Sequence, residues 1–463
     1  MKYTKYLFFL FIALLVSACS DDDKTPKDRT EIQGWIEDKM KANYYWDIPS
    51  PDYSITDVKT FFSSLLSNED GKNGNHYSYI EDISEKTRSS IQEDYSYGFE
   101  FMGVYTDDTR TNIKVLVQYI VKDSPAYDSE LQRGDWITEI DGVPLTKSNY
   151  ATLFGGGACK FTVERWDANK EKLIALSEKI SIGSARKVED HPVYMAKVLT
   201  TPKNNKVGYL IYNHFTEGKG DNDTSYDDKL REVSRTFKNA GVENVVLDLR
   251  YNNGGLLTSA LVLSAILTSE NAFGQDFAYM EYKNKSKKTY KLDRNTQLKS
   301  TGSNLNLSKL YILTSSQTAS ASEMIVNSLR PFMGEKNVIL IGDQTEGKNV
   351  GSVPYTSNDK QWEMHPIIGK IYNSRNESDY SKGFPPDYEL DEAYVPVSED
   401  KVRIIEVLPL GDQNERLLFG AISLIDGTAI ASRSTLSQEG PTYKKASINS
   451  IDRKASNGVI IND

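Results

Sequence analysis

Cysteine and histidine are scarce in this chain, and each shortage removes a class of function. Two cysteines, Cys19 and Cys159, in 463 residues exclude a disulfide scaffold and any multi-cysteine zinc or iron–sulfur framework. The four histidines (His76, His191, His214, His365) are scattered with no HExxH pair, so neither a histidine-built metal site nor a cofactor is expected. A cationic excess is also missing: 55 Lys and Arg stand against 65 Asp and Glu, a net charge of −10. That balance argues against general attraction to nucleic acid or to an anionic membrane surface. The apolar run Leu7–Val16 has ten residues, where a membrane-spanning helix needs about 20.

What remains is enough for a packed protein. Hydrophobic residues make up 38% and charged residues 26% of the chain, which supports a core and argues against wholesale disorder. At roughly 150 residues per domain the length suggests about three domains.

Lys2 and Lys5 precede the apolar run, and small residues lead from it to Cys19, the pattern of a secretory signal over residues 1–18. Val16-Ser17-Ala18-Cys19 resembles the lipobox of bacterial lipoproteins. The resemblance implies that Cys19 becomes a lipidated mature N-terminus, anchoring an exported cell-envelope protein at the outer membrane, exposed at the surface. A plain secretory signal cleaved nearby is the alternative. Losing residues 1–18 removes two lysines and no acid, taking the charge from −10 to −12. Residues 19–30, with Ser20-Asp-Asp-Asp23, read as an acidic tether. Cys159 is then the remaining thiol and is expected as a buried small hydrophobe.

Residues 31–92 read as a helical region. Ile32, Trp35, Ile36 and Met40, then Val58, Phe61, Phe62 and Leu65, recur at helical spacing. From about Tyr95 the period changes: Ile113–Val121 and Asp135–Ile140 read as strands, Asp141-Gly142 as a hairpin turn, and Ser124–Gly134 as a short helix. From Lys206 strands alternate with helices. Strands at 207–212, 245–249, 310–313 and 338–341 and helices at 225–239, 257–267 and 324–329 predict an α/β layer with a parallel sheet. The stretch from Gly427 is polar and is expected to be loosely ordered.

Two junctions carry the chemistry. Asp248-Leu-Arg250-Tyr-Asn-Asn-Gly254-Gly255 leaves the end of a buried strand, where open α/β sheets place ligands and where paired glycines bring backbone N–H groups close to one. A tight turn needing only glycine would read the same. Thr314-Ser-Ser-Gln-Thr-Ala-Ser320-Ala-Ser-Glu323 runs from a strand into a helix, exposing a hydroxyl beside free N–H donors. A capping box of Ser320 with Glu323 is the plainer reading. A serine nucleophile needs a base, and no histidine is near. Lys348, in Gly342-Asp-Gln-Thr-Glu-Gly-Lys348, serves if burial lowers its pKa, and is otherwise a solvated surface charge.

In this order the three motifs resemble those of the C-terminal processing peptidases, or tail-specific proteases. Upstream, Tyr97-Gly-Phe-Glu-Phe101, Asp123-Ser-Pro-Ala126, Leu131–Ile137 and Ile140-Asp-Gly-Val143 resemble a PDZ domain, and Gly383-Phe-Pro-Pro-Asp387 resembles the family's late turn. The resemblance implies an α/β multidomain fold: the helical N-terminal region, a PDZ-like β domain over 93–182, a crotonase/ClpP-like α/β catalytic core over 183–426, and a polar tail over 427–463. It implies a serine endopeptidase with Ser320 as nucleophile, Lys348 as general base, and an oxyanion hole from N–H groups of Ala321 and of Gly254 or Gly255. Tyr97, Gly98, Phe99, Glu100 and Phe101 would hold the free C-terminus of a protein or peptide substrate. Where the family often carries a glutamine four residues after the lysine, this chain has Ser352, the candidate third member. Ser320 and Lys348 stand 28 positions apart, somewhat more than is usual. Two other classes compete: an inactive relative that binds peptide tails, and a glycan-binding lipoprotein using its 28 Tyr and 5 Trp.

Overall fold

Strands Lys206–Tyr212, Asn244–Asp248, Leu310–Thr314 and Val338–Gly342 lie side by side in parallel, with Tyr388–Glu389 also parallel on one edge and Val193–Thr200 antiparallel on the other. Their apolar runs are buried on both faces, which is what a parallel sheet covered by helices requires. Helices Ser225–Asn239, Leu257–Leu267 and Ala321–Met333 pack with Leu210, Leu247 and Ile312 on one face; Arg416–Ile425 packs with Ile211, Val246 and Leu313 on the other. In this computed structural model the described residues are 29–72, 74–84, 95–220, 222–430, 440–451 and 459–460. The signal segment and Cys19 lie outside them, as does most of the tether. Among the described residues no helix is long and apolar enough to cross a membrane.

The PDZ-like sheet holds Phe99–Tyr105, Ile113–Ile120, Trp136–Ile140, Cys159–Asp167 and Lys172–Ala175, antiparallel throughout. Cys159 is buried there. Residues 124–134 form turns instead of the expected helix. Ser129 is the reason: its hydroxyl donates to the Ala126 carbonyl and accepts from Leu131 N–H, closing local turns that compete with helical bonding.

Among the described residues of 31–92 helix is confined to Glu31–Asn43 and Val58–Ser64, and residues 73 and 85–92 lie outside those described; Tyr79–Asp82 is a strand paired with Trp362–His365 of the core. Alternating burial decides it: Ile80 is buried beside Met364 and Ile367, and the segment's polar neighbours face outward. The N-terminal region is thereby built onto the core, with Tyr45 N–H donating to the Ile367 carbonyl.

A buried ion cluster joins the PDZ-like domain to the core. Arg250 meets Asp248 at 2.9 Å and Glu415 at 2.7 Å, and Arg133 from the PDZ-like domain meets Glu392 at 2.9 Å. Asp248 and Arg250 of the first motif are therefore structural.

The tail is not loosely ordered where it is described. Lys444–Asn449 pairs with Phe99–Tyr105, and Val459–Ile460 pairs with Val350–Ser352. Three isoleucines, Ile448, Ile451 and Ile460, are buried and anchor an otherwise polar segment.

Candidate active site

The Ser/Thr-rich string is strapped to the loop after Asn244–Asp248. Thr318 Oγ1 donates to the Leu249 carbonyl at 2.8 Å, Ala319 N–H to the Asn252 carbonyl at 3.1 Å, and Ser322 Oγ to that same carbonyl at 3.1 Å. Small residues permit this close packing. Ser320 sits at the tightest point with φ 60°, ψ −110°, a conformation that non-glycine residues adopt only when their surroundings enforce it. Strained geometry of this kind concentrates at functional sites.

Both glycines of the paired motif are required by contact. A Cβ on Gly254 would lie 2.9 Å from Ser320 Cβ, and one on Gly255 would lie 2.2 Å from the Phe215 carbonyl oxygen. The two glycines differ as donors. Gly254 N–H donates to Asn252 Oδ1 at 2.9 Å and would have to leave that partner to serve an oxyanion. Among the described residues no acceptor meets the N–H of Gly255 or of Ala321, the first residue of its helix.

Glu323 organises the site. Its Oε2 accepts from Ser320 N–H at 2.9 Å and from Lys348 N–H at 2.8 Å; its Oε1 accepts from Gly347 N–H at 2.7 Å and from Thr345 Oγ1 at 2.6 Å. The capping-box residue thus also reaches the third motif. Burial pushes its carboxyl up to about 7, against the pull of these four donors.

Lys348 is 3% exposed, so the surface reading does not apply. Burial lowers its amine from the ordinary 10.5 to about 8, and the carboxylates of Asp70, Glu346 and Glu323 draw it partly back. Its Nζ stands 4.8 Å from the centre of the Tyr77 ring. Tyr77 OH in turn donates to Glu346 Oε1 at 3.3 Å, and Asp70 is fixed by N–H groups of Tyr77 and Ser78 at 3.0 and 3.1 Å. No sequence signal marks Tyr77 or Asp70, because they reach the site from the N-terminal region. Ser352 is buried in Val350–Ser352, just past Lys348, but no hydrogen bond joins the two. The environment of Lys348 is supplied by Tyr77 and the three carboxylates instead.

The Tyr97–Phe101 segment is present as a tight turn and strand. Gly98, at φ 80°, packs so closely that a Cβ would lie 2.0 Å from Ser124 Cβ. Its donors, however, are engaged within the chain: Tyr97 N–H with the Phe154 carbonyl at 3.3 Å, Gly98 N–H with Ser96 Oγ at 2.9 Å, and Phe101 N–H with Ser450 Oγ at 2.7 Å. Phe99 and Phe101 face the domain core, and Glu100 bonds Ser450. In this conformation the loop offers those three donors to no carboxylate.

A cavity of about 910 Å³ runs between the two regions, with Lys348, Ala319 and Asn253 on one wall and Met102, Lys445 and Ile448 on the other. On strands Tyr79–Asp82 and Trp362–His365, Glu81, Glu363 and His365 bring one potential ligand atom each within 4.8 Å of one another, a grouping their spacing in sequence conceals.

Residues 206–390 match the family model described as peptidase family S41, and residues 116–165 match one described as a PDZ domain. The chain is 22% identical over 271 residues to the carboxy-terminal processing protease CtpA of Bacillus subtilis, covering 58% of this chain and 51% of that protein. It is 25% identical over 275 residues to a CtpA-like serine protease of Staphylococcus aureus, covering 59% and 49%. The chain thus spans about half the length of these curated relatives. A crystal structure from Bacteroides fragilis bearing the name S41 protease superposes with TM-score 0.72 at 30% identity, covering 85% of this chain and 97% of that one.

Proposed function

The chain belongs to peptidase family S41, and from that membership we propose that it is a serine endopeptidase of the C-terminal processing type working through a Ser320–Lys348 dyad. The observation that carries this reading is the lysine. A buried amine brought down to about 8, its backbone tied with that of Ser320 to one carboxylate, is the base a serine needs where no histidine is available.

Ser320 Oγ attacks the scissile carbonyl while the neutral Lys348 amine takes its proton and then passes it to the leaving amine. Water repeats the sequence to release the acyl group. N–H groups of Ala321 and Gly255 hold the oxyanion, an interaction typically worth about 10²–10³ in rate per donor. Protein substrates dock as an added strand on Phe99–Tyr105. For the Tyr97–Phe101 loop to grip a free C-terminus its N–H groups must change partners. An amidated substrate tests that step: slower cleavage supports carboxylate recognition, and equal turnover limits the domain to strand addition. The membrane partner is reached through a lipid on Cys19, which makes this an exported envelope lipoprotein; Cys19→Ser releases it from the membrane fraction if that reading is right.

The direct test is peptide hydrolysis by the full chain. Ser320→Ala and Lys348→Ala each abolish turnover with the fold retained, and the double variant is no worse than either. Wild-type hydrolysis by Lys348→Ala would refute the dyad.

A further inference from the structure

The tail binds two strand edges, Phe99–Tyr105 and Val350–Ser352. Along Phe99–Tyr105, Lys444 stands opposite Tyr105, Lys445 opposite Val104 and Asn449 opposite Met102, in antiparallel register. Beyond the strand, Ser450 Oγ accepts from Phe101 N–H at 2.7 Å and donates to the Glu100 carboxylate. Ile448 is 4% exposed and lies over Gly103, where an added Cβ would stand 3.2 Å from Ile448 Cβ. Lys445 meets Asp391 at 2.8 Å. These contacts are those of a peptide ligand docked by strand addition: main-chain bonds along the edge, with a cation, an aliphatic group and a hydroxyl each in its own site.

The second contact is beside the catalytic residues. Val459 and Ile460 pair in parallel with Gly351 and Ser352, and Ile460 N–H donates to the Gly255 carbonyl at 3.1 Å. This short strand is thereby inserted between the segment that follows Lys348 and the loop that packs on Ser320. Ser320 itself is fully buried. Lys445 and Ile448 also wall the cavity that Lys348 lines.

We propose that residues 444–451 and 459–460 form an intramolecular ligand that occupies the Phe99–Tyr105 edge and the Val350–Ser352 edge in place of a protein substrate, which docks only when the tail is displaced. The inference rests on the peptidase reading of the site. A tethered ligand acts at an effective concentration of about millimolar, so it competes strongly even when its intrinsic affinity is weak. Competition of this kind raises the apparent KM for substrate and leaves kcat unchanged. The contacts also define what displaces it: an extended segment with a basic residue, an aliphatic residue three positions on and a hydroxyl two beyond that.

The test cuts the tail after folding. A site-specific protease sequence introduced between Ile430 and Gly440 lets the purified full chain be severed, the tail be removed by dilution and gel filtration, and the two forms be compared. The expected result is a KM for a protein substrate at least several-fold lower in the cut enzyme with kcat unchanged, and return of the uncut value when a synthetic peptide of residues 440–463 is added in excess. Ile448→Asp in the cut chain should speed release, and the same change in the peptide should abolish its inhibition. A KM unaltered after the tail has left, a fall in kcat, or a tail that stays bound even with Ile448→Asp would overturn the proposal and make the segment a structural part of the fold. Failure of the peptidase reading looks different: a fluorophosphonate labels Ser320 in neither form and neither form hydrolyses peptide. Hydrogen exchange at Phe101 N–H then still decides whether the tail is a displaceable ligand, by rising on cutting and falling when the peptide is restored.

Discussion

Ser320 and Lys348 donate their backbone N–H groups to the same oxygen, Glu323 Oε2, at 2.9 and 2.8 Å. One buried carboxylate therefore ties the serine turn to the loop that carries Lys348. With each of its oxygens accepting two hydrogen bonds, the ionised form suits the site best, since a proton on either oxygen would face donors.

Glu323→Gln tests that arrangement. The amide would turn an NH₂ toward N–H or O–H donors, displacing Ser320 from Lys348. Misplacement of about 1 Å commonly lowers turnover about 10²-fold, so kcat should fall by that order with KM little changed. Steady-state kinetics on a short peptide measures it, and an unaltered kcat would make Glu323 a bystander.

Gly254→Ala tests the close approach at Ser320. Its Cβ would meet Ser320 Cβ at 2.9 Å, and its φ of 112° strains any side chain. Activity should drop at least about tenfold while the thermal midpoint moves little, because the serine turn gives way before the sheet does. Full activity would show that the turn is not fixed by this contact.

Arg250→Ala tests the joint between PDZ-like domain and core. Arg250 is 1% exposed and its guanidinium pairs with both Asp248 and Glu415. Removing one member of a buried ion pair typically costs about 3–5 kcal/mol, readable as a lower urea midpoint. A change below about 1 kcal/mol would mean that solvent replaces the arginine without penalty.

Lys348 also leaves a signature in stability. Its folded pKa of about 8 lies below the ordinary 10.5. Between those values the unfolded chain binds more protons than the folded one, so this residue's contribution favours folding increasingly as pH rises from 8 to 10.5 and is flat below 8. The stability of wild type relative to Lys348→Met should therefore rise across that window. A constant difference would place the amine in water.

The core was legible because its signals are local. Uninterrupted aliphatic runs such as Val245–Leu247 and a stretch of apolar and small hydroxyl residues at Leu257–Leu267 have few alternatives to a buried strand and a buried helix. The serine turn and the lysine were legible as types of residue at junctions. Which of the two glycines keeps an unengaged N–H was not, since the Asn252 side chain that bonds Gly254 is placed by the fold. Tyr77 and Asp70 were hidden because their partnership with Lys348 is a long-range packing event. The tail was misread for a different reason: its pairing depends on three isolated isoleucines and on backbone bonds that composition does not record.

The most direct measurement of the Ser320–Lys348 account is the pH dependence of fluorophosphonate labelling at Ser320. With Lys348 as base the labelling rate rises along a single limb with a midpoint near pH 8, following the buried amine. Lys348→Ala removes labelling at every pH. Lys348→Arg does the same, because a guanidinium holds its proton throughout this range. Labelling of Lys348→Ala at the wild-type rate, with the same pH limb, would contradict the account and assign the base to another residue.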